Sequence, residues 1–155
     1  MTKAITSFTG EYVNLIDQKK RLSIPSKFRK SLDSTNDKTF VVTKGFDKCL
    51  VLYPIIEWSR LEHQLGRLNS IKERHRSFVR SVVRYATYVR YDSQGRIPLP
   101  ENLLEYAGII KSVNIIGMIK KIELWNTDEL NAKDSSYSDS LLDSDFDDLS
   151  NEIDF

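Results

Sequence analysis

The chain has 155 residues, of which 40% are hydrophobic and one is a cysteine. Its net charge of +1 is unevenly divided. Residues 1–132 contain 22 basic and 14 acidic residues, whereas residues 133–155 contain one basic and eight acidic residues. That length can bury one moderate core or two small ones, no apolar run approaches the ~18 residues of a membrane span, and a lone cysteine excludes a disulfide framework or a cysteine metal site. The basic body indicates a polyanionic partner, and the acidic end is typical of a solvated segment.

The first predicted unit covers residues 7–54. The residues before it contain no apolar stretch of signal-peptide length, so we expect a cytoplasmic protein. Apolar residues in alternating or continuous short runs predict strands at 12–16, 21–24, 39–43 and 49–53, the last two joined by a hairpin loop that contains Gly45. Pro25 opens a short predicted helix, with Phe28 and Leu32 on one face.

Residues 55–81 are predicted as a helical connector. Trp58, Leu61 and Leu65 recur at helical spacing. Further along, Arg76, Arg80 and Arg84 follow at i, i+4 and i+8, which places three cations on one helical face. That face is either solvated or a contact for DNA or an acidic neighbour.

The second unit, residues 82–128, repeats the first. The stretch from Asp17 to Pro25 recurs from Asp92 to Pro100 at an offset of 75 residues, in the shared frame D-x-x-x-R-φ-x-φ-P, where φ is apolar. Strands at 112–116 and 121–125 repeat the hairpin, and Gly108 marks the end of the second short helix. Residues 129–155 are predicted to be an acidic, disordered tail.

The basic residues of the first unit are the candidate DNA contacts. Six cations lie within twelve residues: Lys19, Lys20, Arg21, Lys27, Arg29 and Lys30. Such a cluster neutralises phosphates and releases counterions, which supplies most of the affinity for duplex DNA. An arginine such as Arg21, or its counterpart Arg96, can also fork onto guanine O6 and N7.

The motif aspartates are interpreted as residues that orient the loops. Asp17 and Asp92 each precede the motif arginine by four residues, so a tight turn would let the carboxylate accept backbone N–H groups or hold the arginine. Lys20 stands where the second copy has Gly95, and because a residue with a Cβ disfavours positive φ, we expect the first turn to differ in its backbone angle.

Nothing in the sequence predicts an enzyme, a metal site or a cofactor. His63 and His75 lack metal-ligand spacing, and no nucleotide-binding fingerprint is present. Asp17 and Asp92 would be poor general acids, because a neighbouring arginine lowers a carboxyl pKa. Tyr53, Trp58 and Trp125 are interpreted as packing residues, as is Cys49.

The motifs resemble those of the MraZ family. The resemblance covers about Phe8 to Asn126, and the motifs that carry it are Gly10-Glu-Tyr, D-x-x-x-R-L-S-I-P at Asp17–Pro25, Cys49–Pro54 running into Glu57-Trp58, D-x-x-G-R-I at Asp92–Ile97, Tyr106-Ala-Gly108 and Ile122–Trp125.

This resemblance implies an α+β fold of two tandem swapped-hairpin SpoVT-AbrB-like units related by pseudo-twofold symmetry, assembled as a homo-oligomeric ring. It also implies a nucleoid-associated regulator that binds direct repeats of double-stranded DNA upstream of its own operon, the division and cell-wall cluster, usually as a repressor. Arg21 and Arg96 would then be the principal DNA contacts. The alternatives are a protein-interaction scaffold with incidental DNA binding and a single-stranded RNA-binding protein.

Overall fold

A computed structural model describes residues 7–140 and 148–153 of the chain, which fold as an α+β protein. Its elements are β1 (Phe8–Leu15), β2 (Arg21–Ser23), α1 (Ser26–Ser31), β3 (Thr39–Lys44), β4 (Leu50–Pro54), α2 (Ile55–Leu65), α3 (Glu73–Val83), β5 (Thr87–Arg90), β6 (Arg96–Pro98), α4 (Glu101–Ala107), β7 (Ser112–Ile119), β8 (Ile122–Trp125) and α5 (Thr127–Ser140). Both copies of the repeat therefore have the order strand, strand, helix, strand, strand, helix.

The two copies exchange their first strands. The main sheet has the order β1-β7-β8-β4-β3-β5, and its neighbouring strands pair antiparallel. Thus β1 of the first copy lies on β7 of the second, and β5 of the second lies on β3 of the first. Exchanging β1 with β5, β3 with β7 and β4 with β8 maps this pairing onto itself, which is the pseudo-twofold relation that the repeat implies.

A second, two-stranded sheet joins β2 to β6, which are the strands that begin at the motif arginines. Its register pairs Arg21 with Pro98 and Ser23 with Arg96. Beyond the strands, the amide of Ile24 donates to the carbonyl of Gly95 (2.8 Å), and the amide of Leu99 donates to that of Lys20 (2.9 Å). The two turns are thereby fixed to each other by backbone hydrogen bonds.

One apolar core lies between the two sheets and helices α1 and α4. It draws on both copies: Leu22 and Phe28 from the first and Ile97 and Leu103 from the second are all fully buried. Phe8 packs edge-on against Phe28, with ring centroids 5.5 Å apart. Within each strand, alternate residues face this core. Because both copies contribute to it, neither copy has a separate core.

The other face of the main sheet carries a smaller cluster. Cys49, Val51 and Trp125 are buried there, with Leu130 of α5 packed against them. Burial raises the pKa of the Cys49 thiol to about 12, so the thiol stays protonated and acts as a packing group. Trp58 of α2 is also buried and lies against Tyr53, in agreement with the interpretation of these aromatics as packing residues.

Three details differ from the sequence-based expectations. The first strand begins at Phe8 and not at Tyr12, because β7 offers it a partner along its whole length. Pro25 caps α1 and does not begin it, with φ −51° and ψ 137°. The segment predicted to be disordered from residue 129 instead begins within α5, which residues 127–140 form; residues 141–147, 154 and 155 lie outside the described residues.

Within residues 7–140 and 148–153, no helix combines the length and apolar character that crossing a bilayer would require.

Candidate nucleic-acid interface

The first D-x-x-x-R loop is organised by its aspartate. One carboxylate oxygen of Asp17 accepts hydrogen bonds from the backbone amides of Lys19 and Arg21, both at 2.9 Å. The other accepts from Nε of the Arg21 side chain, also at 2.9 Å. The backbone closes the turn, since the amide of Lys20 donates to the Asp17 carbonyl and the amide of Asp17 donates to the Arg21 carbonyl, each at 3.0 Å. The carboxylate therefore fixes both the turn and the direction of the guanidinium group.

The second loop has the same hydrogen bonds. Asp92 accepts from the amides of Gln94 (2.8 Å) and Arg96 (3.0 Å) and from Nε of Arg96 (3.1 Å). The amide of Gly95 donates to the Asp92 carbonyl at 2.9 Å, as that of Lys20 does in the first loop. Two loops with different sequences thus hold their arginines by one mechanism.

The structure corrects the expectation that Lys20 changes the first turn. Lys20 has φ +61°, in the same left-handed region as Gly95 at φ +78°. The hydrogen bonds of the Asp17 carboxylate and carbonyl hold the lysine in a conformation that costs a residue with a Cβ about 1 kcal/mol. The two loops are therefore equivalent in geometry and differ in charge.

Lys20→Gly is expected to stabilise the fold by about 0.5–1 kcal/mol, because glycine adopts positive φ without the steric cost. The same change removes one exposed cation, so affinity for a polyanion should fall slightly. Thermal and urea unfolding of the two proteins measure the first effect. Lys19→Gly is the matched control, since Lys19 is not among the residues with positive φ and should lose stability; equal changes at both positions would contradict the strain argument.

The pairing of β2 with β6 brings the two arginines together. Ser23 lies opposite Arg96 and Arg21 lies opposite Pro98, so the two arginines are diagonal neighbours, about 7–8 Å apart at their backbones. Nη1 of Arg96 lies 3.9 Å from the Asp17 carboxylate, which links one loop to the other. The side chains of Arg21 and Arg96 are 28% and 25% exposed. Both arginine side chains are therefore partly exposed on the same face of the two-stranded sheet.

Both aspartates stay ionised at neutral pH. The hydrogen bond from the Arg21 amide is the largest cause that lowers the pKa of Asp17, with further contributions from the Arg21 side chain and the Lys19 amide. The pKa of Asp92 is lowered in the same way, first by the Arg96 amide. Carboxyl groups with lowered pKa values are poor general acids.

The remaining predicted contacts occupy two different environments. Lys19, Lys20 and Lys27 are exposed. Arg29 is half-buried: its Nε donates to the carbonyl of Ile24 at 3.0 Å, and its guanidinium group lies over the Tyr91 ring at 5.9 Å. Arg29 thus packs against the second copy, and the structure gives it a positioning contact that the sequence did not indicate.

Gly95 shows how closely Arg29 approaches the second loop. A Cβ built at Gly95 would lie 2.5 Å from the guanidinium carbon and Nε of Arg29, so a side chain there would displace the arginine. Glycine in the second copy therefore avoids the cost of positive φ that Lys20 carries, and it also leaves room for the Arg29 side chain. No sequence signal connects residues 29 and 95, because the contact depends on the pairing of β2 with β6.

Among the described residues, no group of three or more His, Cys, Asp or Glu side chains could hold a metal ion. The fold and the loops define a class: an internally duplicated α+β protein that presents two adjacent, carboxylate-held arginines beside exposed lysines, which is an arrangement suited to binding a polyanion.

Comparison with known proteins identifies the family of this chain. The family model of the MraZ protein matches residues 7–81 and again residues 82–145. The Transcriptional regulator MraZ of Halothermothrix orenii is 48% identical over 120 residues, 77% of this chain and 81% of the relative. That of Clostridium acetobutylicum is 43% identical over 122 residues, 79% of this chain and 83% of the relative. That of Clostridium tetani is 40% identical over 136 residues, 88% of this chain and 90% of the relative. The chain belongs to the MraZ family, and the relatives named here are transcriptional regulators.

Proposed function

We propose that this chain binds promoter direct repeats of double-stranded DNA through its D-x-x-x-R loops, as a ring-shaped homo-oligomer, and represses its own operon, the division and cell-wall cluster. It acts in the cytoplasm, associated with the nucleoid. The observation that carries the proposal is the adjacency of Arg21 and Arg96 on one surface, each oriented by an ionised aspartate.

The geometry of each arginine suits base recognition. The aspartate engages Nε of Arg21 and Nε of Arg96. A guanine in the major groove is read by the two terminal nitrogens of a guanidinium group, which contact O6 and N7. Because the hydrogen bond of the aspartate is to Nε, it fixes the arginine and leaves the terminal nitrogens without a hydrogen bond to it; Nη1 of Arg96 lies 3.9 Å from Asp17, longer than a hydrogen bond. The rigid side chain also loses less conformational freedom when it binds.

The exposed lysines supply a contribution that does not depend on base sequence. Lys19 and Lys20 directly precede Arg21, whereas the second loop has Gln94 and Gly95 at the equivalent positions. The first loop therefore neutralises more phosphate charge than the second. In a ring, several such units spaced like the DNA repeats would gain affinity through effective concentration.

Fluorescence anisotropy on DNA from upstream of its operon tests the proposal. For one subunit that neutralises three phosphates, the affinity for DNA should fall about 40-fold between 50 and 200 mM salt. Several subunits bound together should give a steeper fall. A shuffled duplex of equal length is the control and should bind more weakly at every salt concentration. No binding, or a flat salt response, would favour the protein-interaction scaffold, and preferential competition by single-stranded RNA would favour an RNA-binding protein.

A further inference from the structure

A cleft of about 900 Å³ lies between the β3–β4 turn, α2 and α3, away from the paired loops. Leu61, Leu65 and Leu68 contribute to its apolar wall on one side, and Phe78 of α3 contributes on the other. At its mouth Phe46 is 85% exposed, and its ring stacks on that of Phe78, with centroids 6.4 Å apart. Apolar side chains grouped and exposed in this way are typical of an interaction surface.

The rim of this cleft is basic. Its charged lining residues are Lys44, Arg80, Arg84 and Lys121, opposed by Asp47 and Glu123. Asp47 already pairs with Lys133 of α5 at 3.1 Å. Glu123 accepts a hydrogen bond from the indole N–H of Trp125 at 3.0 Å. The four cations outnumber the two anions. Lys44, Arg84 and Lys121 also lie over tyrosine rings, but these contacts leave their positive charge in place, so the cleft favours an occupant that is acidic and partly apolar.

The chain contains a segment with this chemistry. Residues 148–151 form a helical turn. Leu149 and Ile153 are spaced i, i+4 and are 52% and 59% exposed, so neither is packed into the body of the fold. Asp148 and Glu152, also spaced i, i+4, are exposed acids beside them. The segment therefore presents two exposed apolar and two exposed acidic side chains close together, which is the chemistry that the wall and rim of the cleft favour.

The same segment is attached close to the cleft. Two ion pairs fix α5 to the β3–β4 turn: Lys48 with Glu129 at 2.9 Å and Lys133 with Asp47 at 3.1 Å. From Lys133 the helix continues for seven residues, about 10 Å, and residues 141–147 can span up to about 23 Å. Residues 148–153 can therefore return to the cleft, and the tether gives them a local concentration in the millimolar range.

We propose that residues 148–153 dock into this cleft of their own chain. Leu149 and Ile153 contact the apolar wall, and Asp148 and Glu152 face Arg80 and Arg84. The docked segment covers apolar surface that the described body of the fold leaves exposed. Because α3 has no buried residue, its amides exchange readily, and docking is expected to slow them.

Hydrogen–deuterium exchange of the full chain tests this docking. We expect the amides of α3 and of the β3–β4 turn to exchange about tenfold faster in Leu149→Ala/Ile153→Ala than in the parent chain, because the variant loses two aliphatic anchors. Leu149→Met/Ile153→Leu should keep the slow exchange. Ile110→Ala is the matched control, since Ile110 is 81% exposed and does not line the cleft.

A second variant examines the charged part of the contact. Asp148→Asn/Glu152→Gln keeps the apolar anchors and should give intermediate exchange rates, and the difference from the parent should shrink at high salt, where the charge contacts of the parent are screened. Equal exchange in the parent and in Leu149→Ala/Ile153→Ala would overturn the proposal. That result includes the case in which the body of a second copy covers the cleft, because protection by a second copy would not depend on residues 149 and 153.

Discussion

Arg21→Ala is expected to weaken binding to the operator by at least tenfold, and by about a hundredfold if Arg21 makes a bidentate contact with guanine, since such a contact contributes about 1–3 kcal/mol. The substitution also removes the hydrogen-bonded side-chain partner of the Asp17 carboxylate, 2.9 Å away in the parent, and leaves only the more distant Arg96 at 3.9 Å. An unneutralised carboxylate beside DNA would add repulsion. Anisotropy titration at fixed salt measures the loss.

Arg96→Ala should also weaken binding, but less than Arg21→Ala. An aspartate holds each of the two guanidinium groups in the same way. Only Arg21, however, is preceded by two lysines, Lys19 and Lys20. The first loop is therefore expected to approach the phosphates more closely. Equal losses would show that the two loops contact DNA equivalently and that the added lysines contribute little.

Lys120→Ala is the matched control for both arginine variants. Lys120 is an exposed cation in the turn between β7 and β8, next to Ile119, which pairs with Phe8 at the start of β1. The first loop follows the other end of β1, eight residues or about 25 Å away. The control therefore removes the same formal charge far from the paired loops. A loss as large as that of Arg21→Ala would contradict the proposed interface.

Gly117→Ala is expected to destabilise the protein by about 3 kcal/mol, at the upper end of overpacking effects. Gly117 lies opposite Gly10 where β7 pairs with β1. An added Cβ would lie 2.5 Å from backbone atoms of Phe8 and Thr9, which cannot move without breaking the ladder. Urea unfolding followed by tryptophan fluorescence measures the change, and a variant as stable as the parent would contradict the pairing of β1 with β7.

Gly66→Ala serves as the control for that substitution. Gly66 ends α2 with ordinary right-handed helical angles, and an added Cβ there would meet its nearest neighbour at 3.4 Å, an ordinary contact. Alanine should therefore keep or slightly raise the stability, by up to about 1 kcal/mol, because it restricts the unfolded chain. The contrast between two glycines separates crowding from the general effect of adding a methyl group.

The recurring frame of Asp17–Pro25 and Asp92–Pro100 predicted the loops because it is a local pattern. An aspartate four residues before an arginine, followed by alternating apolar residues and a proline, specifies a turn, a strand and a helix start in each copy. The same reasoning predicted that Asp17 and Asp92 orient the arginines, which the hydrogen bonds match. These features depend on residues that are close in the chain.

The features that were missed depend on hydrogen bonds and packing contacts that residue type alone does not indicate. The angle at Lys20 is set by hydrogen bonds within the turn and not by the preference of lysine, so the expectation from residue type was wrong. The packing of Arg29 against the turn at Gly95 follows from the pairing of β2 with β6, which nothing near residue 29 indicates. The order of α5 likewise depends on contacts with the turn at Asp47 and Lys48.

The exchange of first strands also limits how this protein could be divided. A fragment that ends after α3 would keep β1 without β7, and β3 without β5. Two copies of such a fragment could supply the missing strand partners to each other, since β1 of each copy could pair with β3 of the other. The single chain thus corresponds to a homodimer whose halves have been fused covalently, so that the partner is always supplied and association no longer depends on concentration.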